Sequence, residues 1–149
     1  MISQTAEYAL RAVIHLAEHG EGVPLHVGEV ARALGAPRNY LSKTLHELVR
    51  EGFLSSSRGP AGGFRLAVSP EKLTLARVVS VFDPPPARRR CLLGRSRCSD
   101  EHPCGAHERW KEVAEAMAEF FRTTTVADLL TSAGNAEPAG VMRLVGARG

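Results

Sequence analysis

Three cysteines and one histidine stand near one another in the second half of the chain. They are Cys91, Cys98, Cys104 and His107, separated by six, five and two residues. Structural zinc sites are usually built on close Cys-x-x-Cys pairs, and no two of these cysteines are that near. Wide, irregular spacing suits a larger group with several points of attachment. An iron–sulfur cluster is such a group, and thiolates are its usual ligands. Three thiolates leave one position for another residue, and two residues can fill it. His107 lies one helical turn beyond Cys104, so it needs no assumed packing and is the preferred ligand; Glu7, near the N-terminus, is the alternative. Each also has an ordinary reading, His107 as a helix-start residue and Glu7 as the i,i+4 partner of Arg11. A second chemistry needs no cofactor. Arg88, Arg89, Arg90, Arg95 and Arg97 surround the first two cysteines, and positive charge favours thiolate, as a redox thiol switch requires. Neither spacing nor composition separates a two-iron from a four-iron cluster.

A second group of residues has the chemistry of nucleic-acid binding. Between Val27 and Leu66, Val27, Val30, Ala31 and Leu34 recur at helical spacing, and Gly35 provides a stop. Pro37 fits the first turn of a following helix. There Leu41, Leu45, Leu48 and Val49 face inward, leaving Arg38, Asn39, Ser42, Lys43, His46 and Arg50 outside. Gly52 ends that helix. Phe53 and Leu54 start a strand, Gly59 to Gly63 form a tip, and Phe64-Arg65-Leu66 returns. This is a helix-turn-helix followed by a β-hairpin wing, with a polar second helix suited to the DNA major groove. Arg38, Asn39, Tyr40 and Ser42, in its first turn and a half, are assigned to base edges. Lys43 and Arg58 are assigned to phosphates. Gly59, Gly62 and Gly63 let the wing backbone approach DNA closely, with Arg65 beside them.

Several stretches here resemble the Rrf2 family of bacterial winged-helix regulators. They are Tyr40-Leu41-Ser42-Lys43, Glu51-Gly52-Phe53-Leu54 and, most specifically, Arg58-Gly59-Pro60-Ala61-Gly62-Gly63-Phe64-Arg65-Leu66. The resemblance extends over about Met1 to Leu130. It implies a transcriptional regulator that binds double-stranded DNA and whose operator affinity follows an iron–sulfur cluster. In the IscR-like branch three cysteines and a histidine hold a two-iron cluster. Cys98, Cys104 and His107 match that spacing, while the gap from Cys91 to Cys98 is one residue longer. The NsrR-like branch instead uses an acidic residue before a Tyr/Leu-Ala-Leu-Arg run, and Glu7 precedes Tyr8-Ala9-Leu10-Arg11.

Composition agrees with a small regulator. The chain has 149 residues, 44% of them hydrophobic, and a formal net charge of +3. Residues 37–77 carry 7 basic and 3 acidic side chains, whereas residues 1–36 carry 2 and 4. Positive charge is therefore concentrated where DNA would lie. The odd count of three cysteines argues against a disulfide framework and for a reducing compartment. With no basic head before an apolar run and no membrane-length apolar window, the expected location is cytoplasmic, away from membranes. A Gly-rich nucleotide loop, a Ser/His/Asp set and paired carboxylates are all missing, so an enzyme is not expected. An iron–sulfur electron carrier would have no use for the wing.

The remaining elements position these groups. Ser3 caps a helix from Gln4 to about Glu18, with Ala6, Ala9, Leu10, Val13, Leu16 and Ala17 inward. His15, His19 and His26 have no metal-like spacing. Thr74 caps a helix through Phe82, and Asp83-Pro84-Pro85-Pro86 ends it. A long helix spans about Gly105 to Arg122, with an apolar stripe of Trp110, Val113, Ala114, Met117, Phe120 and Phe121. That stripe, and the palindromic operators that two-fold proteins read, predict a homodimer. Thr125 to Asp128 has the form of a capping box for a last helix ending near Ser132. The expected fold is mainly α. It divides into a winged helix-turn-helix domain at 1–83, a cysteine-containing sensor loop at 84–104, a dimerisation helix and short terminal helix at 105–133, and a flexible tail at 134–149.

Overall fold

The computed structural model describes residues 2–83, 91–95 and 99–133. Cys98, most of the arginines around it and the 134–149 segment lie outside these residues. The chain begins with α1, Gln4–His19. Ser3, in extended backbone, accepts the Ala6 N–H with its hydroxyl at 3.2 Å. This satisfies one of the donors a helix start leaves open. Ala6, Ala9, Ala12, Val13 and Leu16 are the buried face. Ala12 joins the expected stripe, while Leu10 and Ala17 lie half-buried at its edge. Three alanines keep the helix surface low, so neighbours come close. α1 packs against α2 (Val27–Leu34), α3 (Arg38–Arg50), α4 (Leu75–Val79) and α6 (Val126–Ala133).

Gly35, with φ +63°, turns the chain out of α2 through the left-handed region. Pro37 is the cap of α3 and not part of its first turn: its ψ of 124° is extended. Its carbonyl already accepts the Leu41 N–H at 2.9 Å, so the helix is counted from Arg38. α3 buries Leu41, Thr44, Leu45 and Leu48, and Val49 is only half-buried.

The wing pairs β1 (Leu54–Ser57) with β2 (Gly63–Leu66) antiparallel, Leu54 opposite Leu66 and Ser57 opposite Gly63. Phe53 stands before the strand and is buried in the core. A third segment, which the sequence pattern does not indicate, joins the two strands. Leu25 and Phe64 exchange both backbone hydrogen bonds, at 2.9 and 2.8 Å, so the segment before α2 lies against the wing. Gly63 permits this approach, because a Cβ there would overlap the Leu25 carbonyl, and its φ of +143° disfavours a side chain in any case.

A one-turn 3₁₀ helix, Pro70–Lys72, leads to α4. α4 is shorter than the periodicity suggests, stopping at Val79 instead of Phe82. Turn bonds finish the segment, Phe82 N–H to the Val79 carbonyl at 3.0 Å among them. α5, His107–Thr123, starts two residues later than expected and packs on α4. α6 begins with reciprocal capping. Thr125 donates its N–H and hydroxyl to Asp128 Oδ2 at 2.8 and 2.9 Å, and the Asp128 N–H returns to Thr125 Oγ1 at 3.2 Å. Backbone bonds from Val126 to Leu73 and from Leu75 to Thr124 tie α6 to the entrance of α4.

Two outcomes follow. Gly63→Ala should destabilise the fold by about 1–3 kcal/mol, the range for a strained backbone position, read as a lower urea midpoint. The hydrogen bonds from Thr125, its backbone N–H first, hold the Asp128 carboxyl below its usual range. A lowered folded-state pKa stabilises above the unfolded carboxylate range and is lost as pH falls through the folded one. Asp128→Asn should therefore lower the midpoint at neutral pH, and the gap to the parent should close in acid, below pH of about 4.

Candidate nucleic-acid interface and cysteine site

α3 turns Arg38, Asn39, Lys43 and His46 to solvent, with Ser42 half-exposed between them. Among the described residues no carboxylate pairs with Arg38, Lys43 or Arg58, whereas Arg50 is held by Glu47 at 3.1 Å. Tyr40 is 40% exposed. Its hydroxyl is hydrogen-bonded to the Thr5 hydroxyl, and its ring meets Tyr8 edge-on at 5.9 Å. The start of α3 is thus fastened to the first turns of α1. Arg11 fastens the end of α2, donating to the Leu34 carbonyl at 2.8 Å.

At the wing tip Arg58, Gly59, Pro60 and Ala61 are exposed and Gly62 is buried beneath them. The Pro60 carbonyl accepts from His26 Nε2 at 2.9 Å, which pins the tip to the start of α2. Arg65 projects from the opposite face of β2 to Phe64, its Nε donating to Ser55 Oγ at 3.2 Å. His46 reaches the wing too. Its ring stands edge-on to Phe64 at 5.1 Å, and its Nδ1 lies 2.7 Å from the Ser42 carbonyl. The sequence places His46 on the outer face of α3, and its ring contact with the wing is not visible there.

The structure brings Cys91 and Cys104 together, and His107 follows Cys104 by one turn, its N–H on the Cys104 carbonyl at 2.9 Å. The two sulfurs are 4.0 Å apart, Cys91 buried and Cys104 half-buried. Backbone N–H groups of Arg95 and then Leu93 favour the Cys91 thiolate, and the Cys104 thiol and the Arg95 charge add to them against burial. Of the arginines expected to act here only Arg95 is among the described residues, and its backbone N–H contributes more than its charge. His107 is 3% exposed. Its Nε2 is 2.8 Å from Asp100 Oδ1, and Lys111 Nζ lies 3.2 Å from the same oxygen. Hydrogen bonds from His107 and then Lys111 lower the Asp100 pKa. Ala106, not His107, occupies the cap position of α5. Glu7 is exposed and lies 3.6 Å from Arg11.

The spacing of the two sulfurs is the one a shared metal would need. Two thiolates on one tetrahedral metal, with bonds of about 2.3 Å, lie about 3.8 Å apart. His107 Nε2 meets a carboxylate, a partner that metal-bound histidines commonly have. Among the described residues no three His, Cys, Asp or Glu side chains converge as a complete metal-binding group.

A helix-turn-helix with an unpaired basic face and a wing braced against it defines a winged-helix DNA-binding protein. The chain belongs to the Rrf2 family, described as iron-dependent transcriptional regulators, whose pattern matches residues 2–132. A protein of Aquifex aeolicus provisionally described as an HTH-type transcriptional regulator is 36% identical over 132 residues, covering 87% of this chain and 91% of that one. The HTH-type transcriptional regulator IscR of Vibrio parahaemolyticus is 24% identical, covering 87% and 77%. Among solved structures, CymR, the global cysteine regulator of B. subtilis, superposes with a TM-score of 0.75 at 23% identity over 89% of this chain and 97% of that one. T. potens IscR gives 0.71 at 21% over 93% of each. The chain is therefore a DNA-binding transcriptional regulator and not an enzyme. No helix among the described residues is long and apolar enough to cross a membrane.

Removing one phosphate contact should lower the slope of log affinity against log salt by about 0.9. Lys43→Ala and Arg58→Ala should each do so, weakening all duplexes alike; a salt titration with two unrelated duplexes reads both effects.

Proposed function

We propose that the chain is a homodimeric regulator whose affinity for a palindromic operator is set by an iron–sulfur cluster held by Cys91, Cys98, Cys104 and His107. The observation that carries this is the pair of sulfurs 4.0 Å apart, with a buried His107, backed by the Asp100 carboxylate, one turn beyond Cys104 in the chain. When bound, the cluster supplies an oxidant-sensitive group whose loss is the signal. Asp100 orients the imidazole, and the Leu93 and Arg95 N–H groups stabilise the Cys91 thiolate. Glu7, the alternative fourth ligand, would have to leave Arg11.

On the DNA side, Arg38, Asn39, Tyr40 and Ser42 read bases, Lys43 and Arg58 hold phosphates, and Gly59, Gly62, Gly63 and Arg65 shape the wing contact. Dimerisation falls to α5, whose Val113 and Phe120 are about half exposed, an apolar stripe that a second copy would cover. The two ends connect through α1. Asp83, where the chain leaves α4 for the cysteine segment, accepts the Ser3 N–H at 2.8 Å, and Thr5, two residues on, holds Tyr40. Ordering the cysteine segment would bias this contact and, with it, the placement of two recognition helices about 34–36 Å apart.

A thiol switch is the second reading, favoured by the stabilised Cys91 thiolate beside Cys104. Peroxide would take two electrons and two protons from the pair, forming one disulfide and two waters.

Anaerobic purification with absorption spectra and iron and sulfide assays tests both. The expected result is bound iron and sulfide, lost in Cys91→Ser, Cys98→Ala and Cys104→Ser, weakened in His107→Ala and unchanged in Glu7→Ala. A normal spectrum for His107→Ala with a lost one for Glu7→Ala would transfer the fourth position to Glu7. Absence of iron, together with a peroxide-induced Cys91–Cys104 disulfide that changes DNA affinity, would establish the thiol switch instead.

A further inference from the structure

His46 has what a base-reading side chain needs. It lies on the same exposed row of α3 as Asn39, Ser42 and Lys43. Seven residues separate it from Asn39, about 10.5 Å along the helix, or roughly three base-pair steps of 3.4 Å. Unlike the long arginine and lysine chains nearby, its ring is fixed at two points, by the Ser42 carbonyl and by the edge-on Phe64 ring at 89°. A carbonyl oxygen only accepts, so Nδ1 carries the hydrogen in that bond. That tautomer has its lone pair on Nε2.

A rigid acceptor on the outer face of a recognition helix selects for a donor. In the major groove the only base-edge donors are the amino groups of cytosine (N4) and adenine (N6). Guanine offers two acceptors, and thymine an acceptor and a methyl group. We infer that His46 is a specificity-determining residue whose Nε2 accepts a hydrogen bond from the exocyclic amino group of a cytosine or adenine, with the wing residue Phe64 setting the angle of the ring. This rests on the DNA-reading face described under Proposed function and extends it one helical turn. Phe64 is itself paired with Leu25, so the sheet that braces the wing also aims a side chain of the recognition helix.

The test is selection of binding sites from a random duplex pool by the full chain, by His46→Ala and by His46→Gln, with circular dichroism confirming that both variants fold as the parent does. The parent should enrich cytosine or adenine at one position in each half-site. His46→Ala should lose that preference, by about 5- to 10-fold for one hydrogen bond, and keep the others. His46→Gln should shift it towards adenine, which glutamine contacts through N6 and N7. An unchanged preference in His46→Ala, or a loss of affinity equal for all sequences, would overturn this inference alone. A parent that enriches no sequence would overturn the DNA-reading assignment as well.

Discussion

The structure depends on how closely helices can approach α1. Ala6, Ala9 and Ala12 are all fully buried, and a methyl group is the largest obstacle any of them presents. Larger side chains on this face would hold α2, α3, α4 and α6 further out and thin their contacts with one another. Dense interiors lose dispersion energy quickly when such gaps open. The leucines of α3 fill the space the alanines leave, with Leu41, Leu45 and Leu48 fully buried. The outer face of α3 is thereby fixed in orientation by its inner face.

Much of this was legible in sequence where local chemistry decides the outcome. The two helices around Gly35, the hairpin and the Thr125–Asp128 cap are each specified by residues within a few positions of one another. Contacts between distant segments were not legible. Nothing in Gly22-Val23-Pro24-Leu25 announces a strand, and Leu25 is extended only because Phe64 offers it a partner. The apolar period of α4 continues to Phe82, but the chain beyond Val79 closes into tighter turns that the period does not register. Tyr40 was counted by its position on α3, and its hydroxyl bond to Thr5 depends on a packing that periodicity does not encode.

The cysteine site divides the same way. The sequence points to Cys91, Cys98 and Cys104, with His107 preferred and Glu7 as the alternative for the remaining position. It could not show that Asp100 stands behind the imidazole, because that carboxylate belongs to an irregular segment with no pattern to read. Nor could it show that at Cys91 the backbone N–H of Arg95 outweighs that residue's own charge. Loop backbone becomes an electrostatic element only once its turn is formed, whereas arginines can be counted in advance.

The wing has a consequence of a mechanical kind. Leu25 pairs with its inner strand, His26 holds its tip, and Phe64 leans on His46. Hairpin, turn and recognition helix are clasped at three places, so none can swing without breaking hydrogen bonds or unstacking rings. Such a reading head has no soft joint of its own. Any signal that alters its hold on DNA has to shift the head as one piece, which leaves its mounting on α1 as the place where compliance matters.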